Sequence, residues 1–154
     1  MLIAQGPPTL TSTQSRAHAQ DMTHEGIDVL DRDECYKLLR EQRLGRVGVK
    51  LADELVVLPV YYAVLGDDVV FRTSPGTKLN AAVLRTNVAF EVDNATPGWS
   101  VLITGHAQEL RGADEGAAAR RLLGSEWPAG ERERIVSLRA EKVTGRRLRT
   151  ISLV

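Results

Sequence analysis

Residues 55–79 read Leu-Val-Val-Leu-Pro-Val-Tyr-Tyr-Ala-Val-Leu-Gly-Asp-Asp-Val-Val-Phe-Arg-Thr-Ser-Pro-Gly-Thr-Lys-Leu, and this stretch decides the fold. Leu55 to Leu65 is a β-branched and aromatic run, which favours a strand over a helix. Gly66-Asp67-Asp68 supplies a tight turn, and Val69 to Thr73 pairs back as a second strand. Pro59 lies inside the first run. Proline has no N–H to give to a ladder, so the strand is bent, bulged or at an edge there. Beyond Thr73 the turn Ser74-Pro75-Gly76 leads into a short helix from Thr77 to Arg85. Across this connection Arg72 and Lys78 bring charge, Thr73, Ser74 and Thr77 bring hydroxyls, and the first helical N–H groups point the same way. Such a set suits a phosphate dianion. It also suits an ordinary strand-to-helix connection with Thr77 as N-cap. These residues alone leave both readings open.

Working outward, Asp31 and Glu34 have N-cap and N3 spacing, and Leu30, Cys35, Leu38 and Leu39 form an apolar stripe that predicts a helix ended by Gly45. Arg46 to Leu51 is a strand joined by the turn Ala52-Asp53-Glu54 to the long run. Asn87 to Asp93 and Trp99 to Leu110 are further strands, the latter interrupted by Gly105. Ala113 to Leu123 is a second clear helix. Arg134 to Arg139 is a strand running into Val143 to Leu148, whose conformation the pattern does not specify. About six short strands in meander-like order, without the long crossovers of a parallel sheet, predict a mainly β, antiparallel barrel with peripheral helices. Residues 1–26, rich in Thr, Ser, Gln, Pro and Ala, read as a flexible tail holding His18 and His24, and 27–154 as one domain.

Twenty basic and twenty acidic side chains cancel, so no broad positive field for nucleic acid or anionic lipid is expected. No apolar run is long enough to cross a bilayer, and the opening MLIAQGPPTL lacks the basic and apolar regions of a secretory signal. The lone Cys35 has no partner for an intramolecular disulfide and no cationic activator beside it. A half-buried structural thiol in a cytoplasmic protein is expected. His106 stands alone in the ordered region, which gives no support to a Ser-His-Asp triad or a zinc site. Gly76-Thr77-Lys78 lacks Walker A spacing, and no G-x-G-x-x-G is present.

The order of five segments resembles the pyridoxamine 5′-phosphate oxidase-like family of FMN-binding split barrels. The segments are Leu44-Gly45-Arg46-Val47-Gly48-Val49, Leu58 to Ala63, Phe71 to Leu79, Val88 to Asp93, and Gly98 to Ala107. The resemblance runs from about Leu30 to near the C-terminus. It implies an antiparallel split β-barrel and a homodimer with FMN at the subunit interface. By position, Lys78 with Arg72 and Thr77 would bind the phosphate, and Thr73 and Ser74 would follow the ribityl chain or ring edge. Pro59, Val60 and Tyr61 would line the isoalloxazine, and Trp99 and Ser100 occupy the stretch where the partner subunit reaches the ring.

Two departures shape the expectation. The vitamin B6 oxidases hold substrate with a C-terminal segment containing Arg and Trp. Here the chain ends Gly145-Arg146-Arg147-Leu148-Arg149-Thr150-Ile151-Ser152-Leu153-Val154, which argues against pyridoxamine phosphate as substrate. Thr77-Lys78 also replaces the adjacent basic pair of many relatives, which leaves room for a deazaflavin. The resemblance therefore implies an FMN-dependent oxidoreductase acting on a small aromatic or heteroaromatic molecule, with no catalytic side chain assigned. The alternative is a deazaflavin- or haem-binding sensor or carrier without turnover, with His106 as the candidate haem ligand.

Overall fold

The computed structural model describes residues 26–125 and 133–148. The expected flexible tail with His18 and His24, and the C-terminal end beyond Leu148, lie outside the described residues. Within these described residues seven strands and three helices follow in order. They are β1 (Ile27–Leu30), α1 (Arg32–Glu41), β2 (Leu44–Leu51), β3 (Glu54–Leu65), β4 (Asp68–Thr73), α2 (Lys78–Arg85), β5 (Asn87–Asn94), β6 (Trp99–Glu109), α3 (Ala113–Leu123) and β7 (Arg134–Leu148).

The sheet order is β1-β7-β4-β3-β2-β5-β6, and β6 also pairs with β7. Six strands therefore close into a barrel, with β1 attached to the C-terminal half of β7. All the pairings are antiparallel. This is the mainly β antiparallel barrel that the pattern predicts, of the split type that the resemblance implies. Alternation explains the interior: Val47 and Val49, then Val88, Phe90 and Val92, then Trp99, Val101 and Ile103 point inward at every second position and are buried. A fully buried side chain of this size contributes about 1.5–3 kcal/mol. β4 breaks the alternation, with Val69, Val70 and Phe71 all buried. Val69 and Phe71 face the barrel core, whereas Val70 packs under α3 with Ala119, Leu123 and Ile135.

α1 begins as its sequence predicts, with the Asp31 carboxylate accepting from the Glu34 N–H at 2.9 Å. It buries Cys35, Tyr36, Leu38 and Leu39 against the barrel. The Tyr62 hydroxyl donates to the Leu39 carbonyl at 2.5 Å, and the Tyr36 hydroxyl donates to the Asp67 carbonyl at 2.6 Å. Cys35 is fully rather than half buried, and burial raises its pKa, so it is an unreactive core thiol.

Two expectations need correction, and one segment left open by the pattern is now defined. Leu30 ends β1 rather than opening the helical stripe, although it remains in the core. The four residues of β1 are too few to show a period, and only their register with Gly145–Leu148 reveals the strand. Gly45 does not stop α1, which ends at Glu41; it lies in β2, where a Cβ would come within 2.5 Å of the Phe90 ring. Arg134 to Leu148 is a single strand of 15 residues. It bends where β6 shifts register between Thr104 and Gly105. A Cβ on Gly105 would lie 2.0 Å from the Arg139 carbonyl oxygen. The bulge therefore demands glycine for a close backbone approach.

Gly105→Ala is expected to destabilise the fold by at least ~2 kcal/mol, because rigid backbone must move. Gly48→Ala, whose Cβ would meet Ala89 at an ordinary 3.5 Å, should lie within about 1 kcal/mol of wild type. Chemical denaturation of the two variants reads the contrast.

Candidate functional site

The site originates where a ladder stops. β3 and β4 are paired over Leu65–Asp68, Val64–Val69, Ala63–Val70 and Tyr62–Phe71. The next pairs in that register would be Tyr61–Arg72, Val60–Thr73 and Pro59–Ser74. Instead the strands part, β3 staying with β2 and β4 with β7. A cleft of about 310 Å³ opens in the gap, lined by Pro59, Val60, Tyr61, Arg72, Thr73, Ser74, Thr77 and Leu79.

Pro59 thus sits on the open edge of a regular strand, and no register shift interrupts its pairing with Arg46. The Tyr62 N–H donates to the Arg43 carbonyl at 2.9 Å. The two-residue alternation of an antiparallel ladder then turns the nitrogen of Pro59 and the N–H and C=O of Tyr61 away from β2, toward the gap. Proline at this position costs the β2 ladder nothing.

On the other wall the polar groups are already organised. The Thr73 hydroxyl donates to Asn80 Oδ1 at 2.6 Å, so this buried side chain ties the end of β4 to α2. Thr77 caps α2: its Oγ1 accepts from the Asn80 N–H at 3.1 Å and donates to the Ser74 carbonyl at 2.8 Å. The two readings of this loop are therefore compatible, with Thr77 serving as cap on the wall of the cleft. Helix geometry leaves the N–H groups of Lys78 and Leu79 without intrahelical acceptors. The first turns of α1 and α3 carry Asp33 and Glu34, and Asp114 and Glu115, whereas that of α2 carries no acid and opens on Lys78. The usual carboxylate complement to a helix N-terminus is missing here. An anionic ligand would meet no competing carboxylate in that turn.

Arg72 enters the cleft wall under constraint. Its Nε donates to Glu133 Oε2 at 2.7 Å and its Nη2 to the Gly124 carbonyl at 2.5 Å, with only a tenth of the side chain exposed. The other Glu133 oxygen accepts from Arg120 Nε at 2.5 Å. Hydrogen bonding from Arg120, joined by Arg72, holds the Glu133 carboxyl below its ordinary range. Among the described residues, three of the five guanidinium N–H groups of Arg72 remain for another acceptor.

A family model described as pyridoxamine 5′-phosphate oxidase matches residues 31–147. The chain belongs to that family. The uncharacterized protein Rv0080 of Mycobacterium tuberculosis is 33% identical over 146 residues, covering 89% of this chain and 95% of that protein. A solved FAD binding protein from Mycobacterium smegmatis is 33% identical with a TM-score of 0.73, covering 80% of this chain and all of that one. An FAD-binding protein from Mesorhizobium loti is 25% identical with a TM-score of 0.67, covering 78% of this chain and 95% of the other.

Within this family member the expected site residues divide. Pro59, Val60, Tyr61, Arg72, Thr73, Ser74 and Thr77 come together around one cleft. Lys78 does not line it; its side chain is exposed along the adjoining cleft on the far side of α2. Trp99 is buried and Ser100 half-buried, and neither lines the cleft. His106 pairs with Glu141 on exposed side chains, away from the cleft lining. Sequence reasoning missed Leu79, which lines the cleft, and the positioning residues Asn80 and Glu133. Asn80 was accessible in principle as the N3 residue following cap Thr77, but Glu133 lies 61 positions from Arg72 and carries no local signal.

Glu133→Ala should cost about 1–3 kcal/mol, because it strands the largely buried Arg72 cation. The Glu133 pKa is lowered on folding, so its stabilisation is complete above the ordinary carboxyl value of 4.5 and is lost as pH falls through the folded value. Thermal melts from pH 6 to pH 3 should therefore show a steeper acid decline for wild type than for Glu133→Ala.

Proposed function

We propose that this protein binds a flavin in the β3–β4 cleft and, as a homodimer, transfers electrons between a reduced nicotinamide or similar donor and a small aromatic or heteroaromatic substrate. The observation that carries this reading is the joining of two walls in one cleft. One is an open strand edge from Pro59 to Tyr61 that suits the rim of a planar heterocycle. The other is the anion-suited turn from Arg72 to Thr77. Two relatives at 33% and 25% identity are described as FAD binding, which supports a flavin over other phosphorylated ligands.

Ser74, the N–H groups of Lys78 and Leu79, and the free N–H groups of Arg72 would hold the first phosphate of FMN or of a larger flavin. Lys78 can swing its ammonium to the same oxygens from the helix start. Thr73 and Thr77, whose hydroxyl protons are engaged, shape the turn. The Tyr61 backbone would meet the polar rim of the ring, while Val60 and Leu79 give it an apolar contact. A bound flavin supplies hydride or electron transfer, and the surrounding residues orient it and exclude water. No acid or base from this chain is assigned to the reaction.

The cleft volume lies near the low end of the roughly 300–1,000 Å³ of small-molecule sites, as befits half of a shared pocket. Leu55 (85% exposed), Val57 (65%) and Tyr61 (59%) share one outer face of β3, and the ladder places Leu44 and Leu102 on the same face. Such a surface supports burial against a second copy. Dimerisation would bring the partner's Trp99–Ser100 stretch to the ring.

Titration with FMN and FAD should quench flavin fluorescence with dissociation constants below tens of micromolar, and Lys78→Ala should weaken both by about tenfold. Wild-type protein that takes up neither flavin would sink the proposal. Light scattering should give twice the 16.9 kDa chain mass. Val57→Asp is expected to produce monomer with reduced flavin affinity; a wild-type monomer at all concentrations would exclude a shared site.

A further inference from the structure

A second cleft lies directly behind the start of α2, between that helix and the β2–β3 turn. It measures about 700 Å³ and is lined by Lys50, Leu51, Ala52, Asp53, Glu54, Lys78, Ala81, Ala82, Arg85 and Thr86. We propose that this cleft holds the adenylate half of FAD, so that the flavin selected is the dinucleotide. The inference rests on the flavin reading of the first cleft and extends it.

Adjacency is the first reason. Thr77 and Leu79 line the flavin cleft, while Lys78, the residue between them, lines the second. A phosphate at the N-terminus of α2 therefore sits on the ridge shared by both clefts, and a second phosphate attached to it has Lys78 beside it. The eight residues of α2 run roughly 12 Å onward from that ridge. Arg85 stands near the far end of that wall.

Charge is the second reason. Among the described residues, Lys50, Lys78 and Arg85 have no carboxylate within 4.0 Å. A third hollow beyond Pro75 is bounded by Arg111, Arg120 and Arg134, but each of these is ion-paired with Glu109 or Glu133. The cations available to a second phosphate are thus on the α2 side.

The remaining lining matches the rest of an adenylate. Asp53 and Glu54 at the hairpin turn offer acceptors for ribose hydroxyls, the role an acidic side chain takes in dinucleotide folds. Ala81, Ala82 and Leu51 give a low apolar wall for a purine face. Ala81 is exposed and small, so it leaves the cleft open.

The test compares riboflavin, FMN and FAD by fluorescence or calorimetric titration on the full chain. FAD should bind at least about tenfold tighter than FMN. Lys50→Ala and Arg85→Ala should each weaken FAD several-fold and leave FMN unchanged. Ala81→Trp, at an exposed position where folding is not at stake, should block the cleft and bring FAD affinity down to that of FMN. Free 5′-AMP should compete with FAD and not with FMN. Equal affinity for FMN and FAD overturns the adenylate assignment while leaving the flavin site in place. So does an FAD preference that survives Ala81→Trp, or one abolished by Arg120→Ala and untouched by Lys50→Ala. Failure of all three flavins to bind overturns the flavin reading and this inference together.

Discussion

The pairing of β3 with β4 lasts for four residue pairs and ends at Tyr62–Phe71, and the rest of the site depends on that ending. Both strands continue past it, each retained by its other neighbour: β3 by β2 as far as Glu54, β4 by β7 as far as Thr73. An antiparallel ladder exposes its backbone wherever one partner departs. Here the exposed edge belongs to Tyr61 and Pro59, and proline removes a donor that would otherwise stand unpaired. The departure also aims the end of β4 at α2, so that a chain leaving the barrel places the start of a helix across the gap.

Holding the gap open requires that neither wall collapse. Tyr62, the last paired residue, is anchored to the α1 backbone through its hydroxyl and stands edge-on to Phe90, with ring centroids 4.9 Å apart. Burial raises its pKa, keeping it neutral and donating. On the opposite wall, the Thr73–Asn80 and Thr77–Ser74 bonds stiffen the turn, and Glu133 with the Gly124 carbonyl fixes Arg72. These are preorganising interactions in which the donors are set before any ligand arrives, which lowers the ordering cost of binding.

The distribution of charge around α2 follows from the same geometry. The chain is neutral overall, so affinity for an anion depends on which cations lack a carboxylate partner rather than on a general field. Glu133 and Glu109 engage the arginines on one side of the turn, and the α2 side keeps Lys50, Lys78 and Arg85 without such partners among the described residues.

Much of this architecture was legible in local pattern. The Val-rich runs, the Gly66-Asp67-Asp68 turn, the Asp31 and Thr77 caps and the edge position of Pro59 each act over a few residues, where composition and period carry the information. The order of motifs likewise pointed to the barrel and to the Arg72–Thr77 turn. Other features depend on partners far away in the chain. β1 is a strand because Gly145–Leu148 lies beside it, Gly45 is glycine because Phe90 crosses there, and Arg72 is half-spent because Glu133 folds back onto it. Lys78 could be named from sequence, but only the helix orientation placed its side chain along the neighbouring cleft. Sequence by itself determined most of the strands, the three helices and the Asp31 and Thr77 caps, since these follow from short-range sterics and hydrogen bonding. Tertiary structure alone decided where the β3–β4 ladder opens and which cations face the openings, because both depend on which strand wins the pairing.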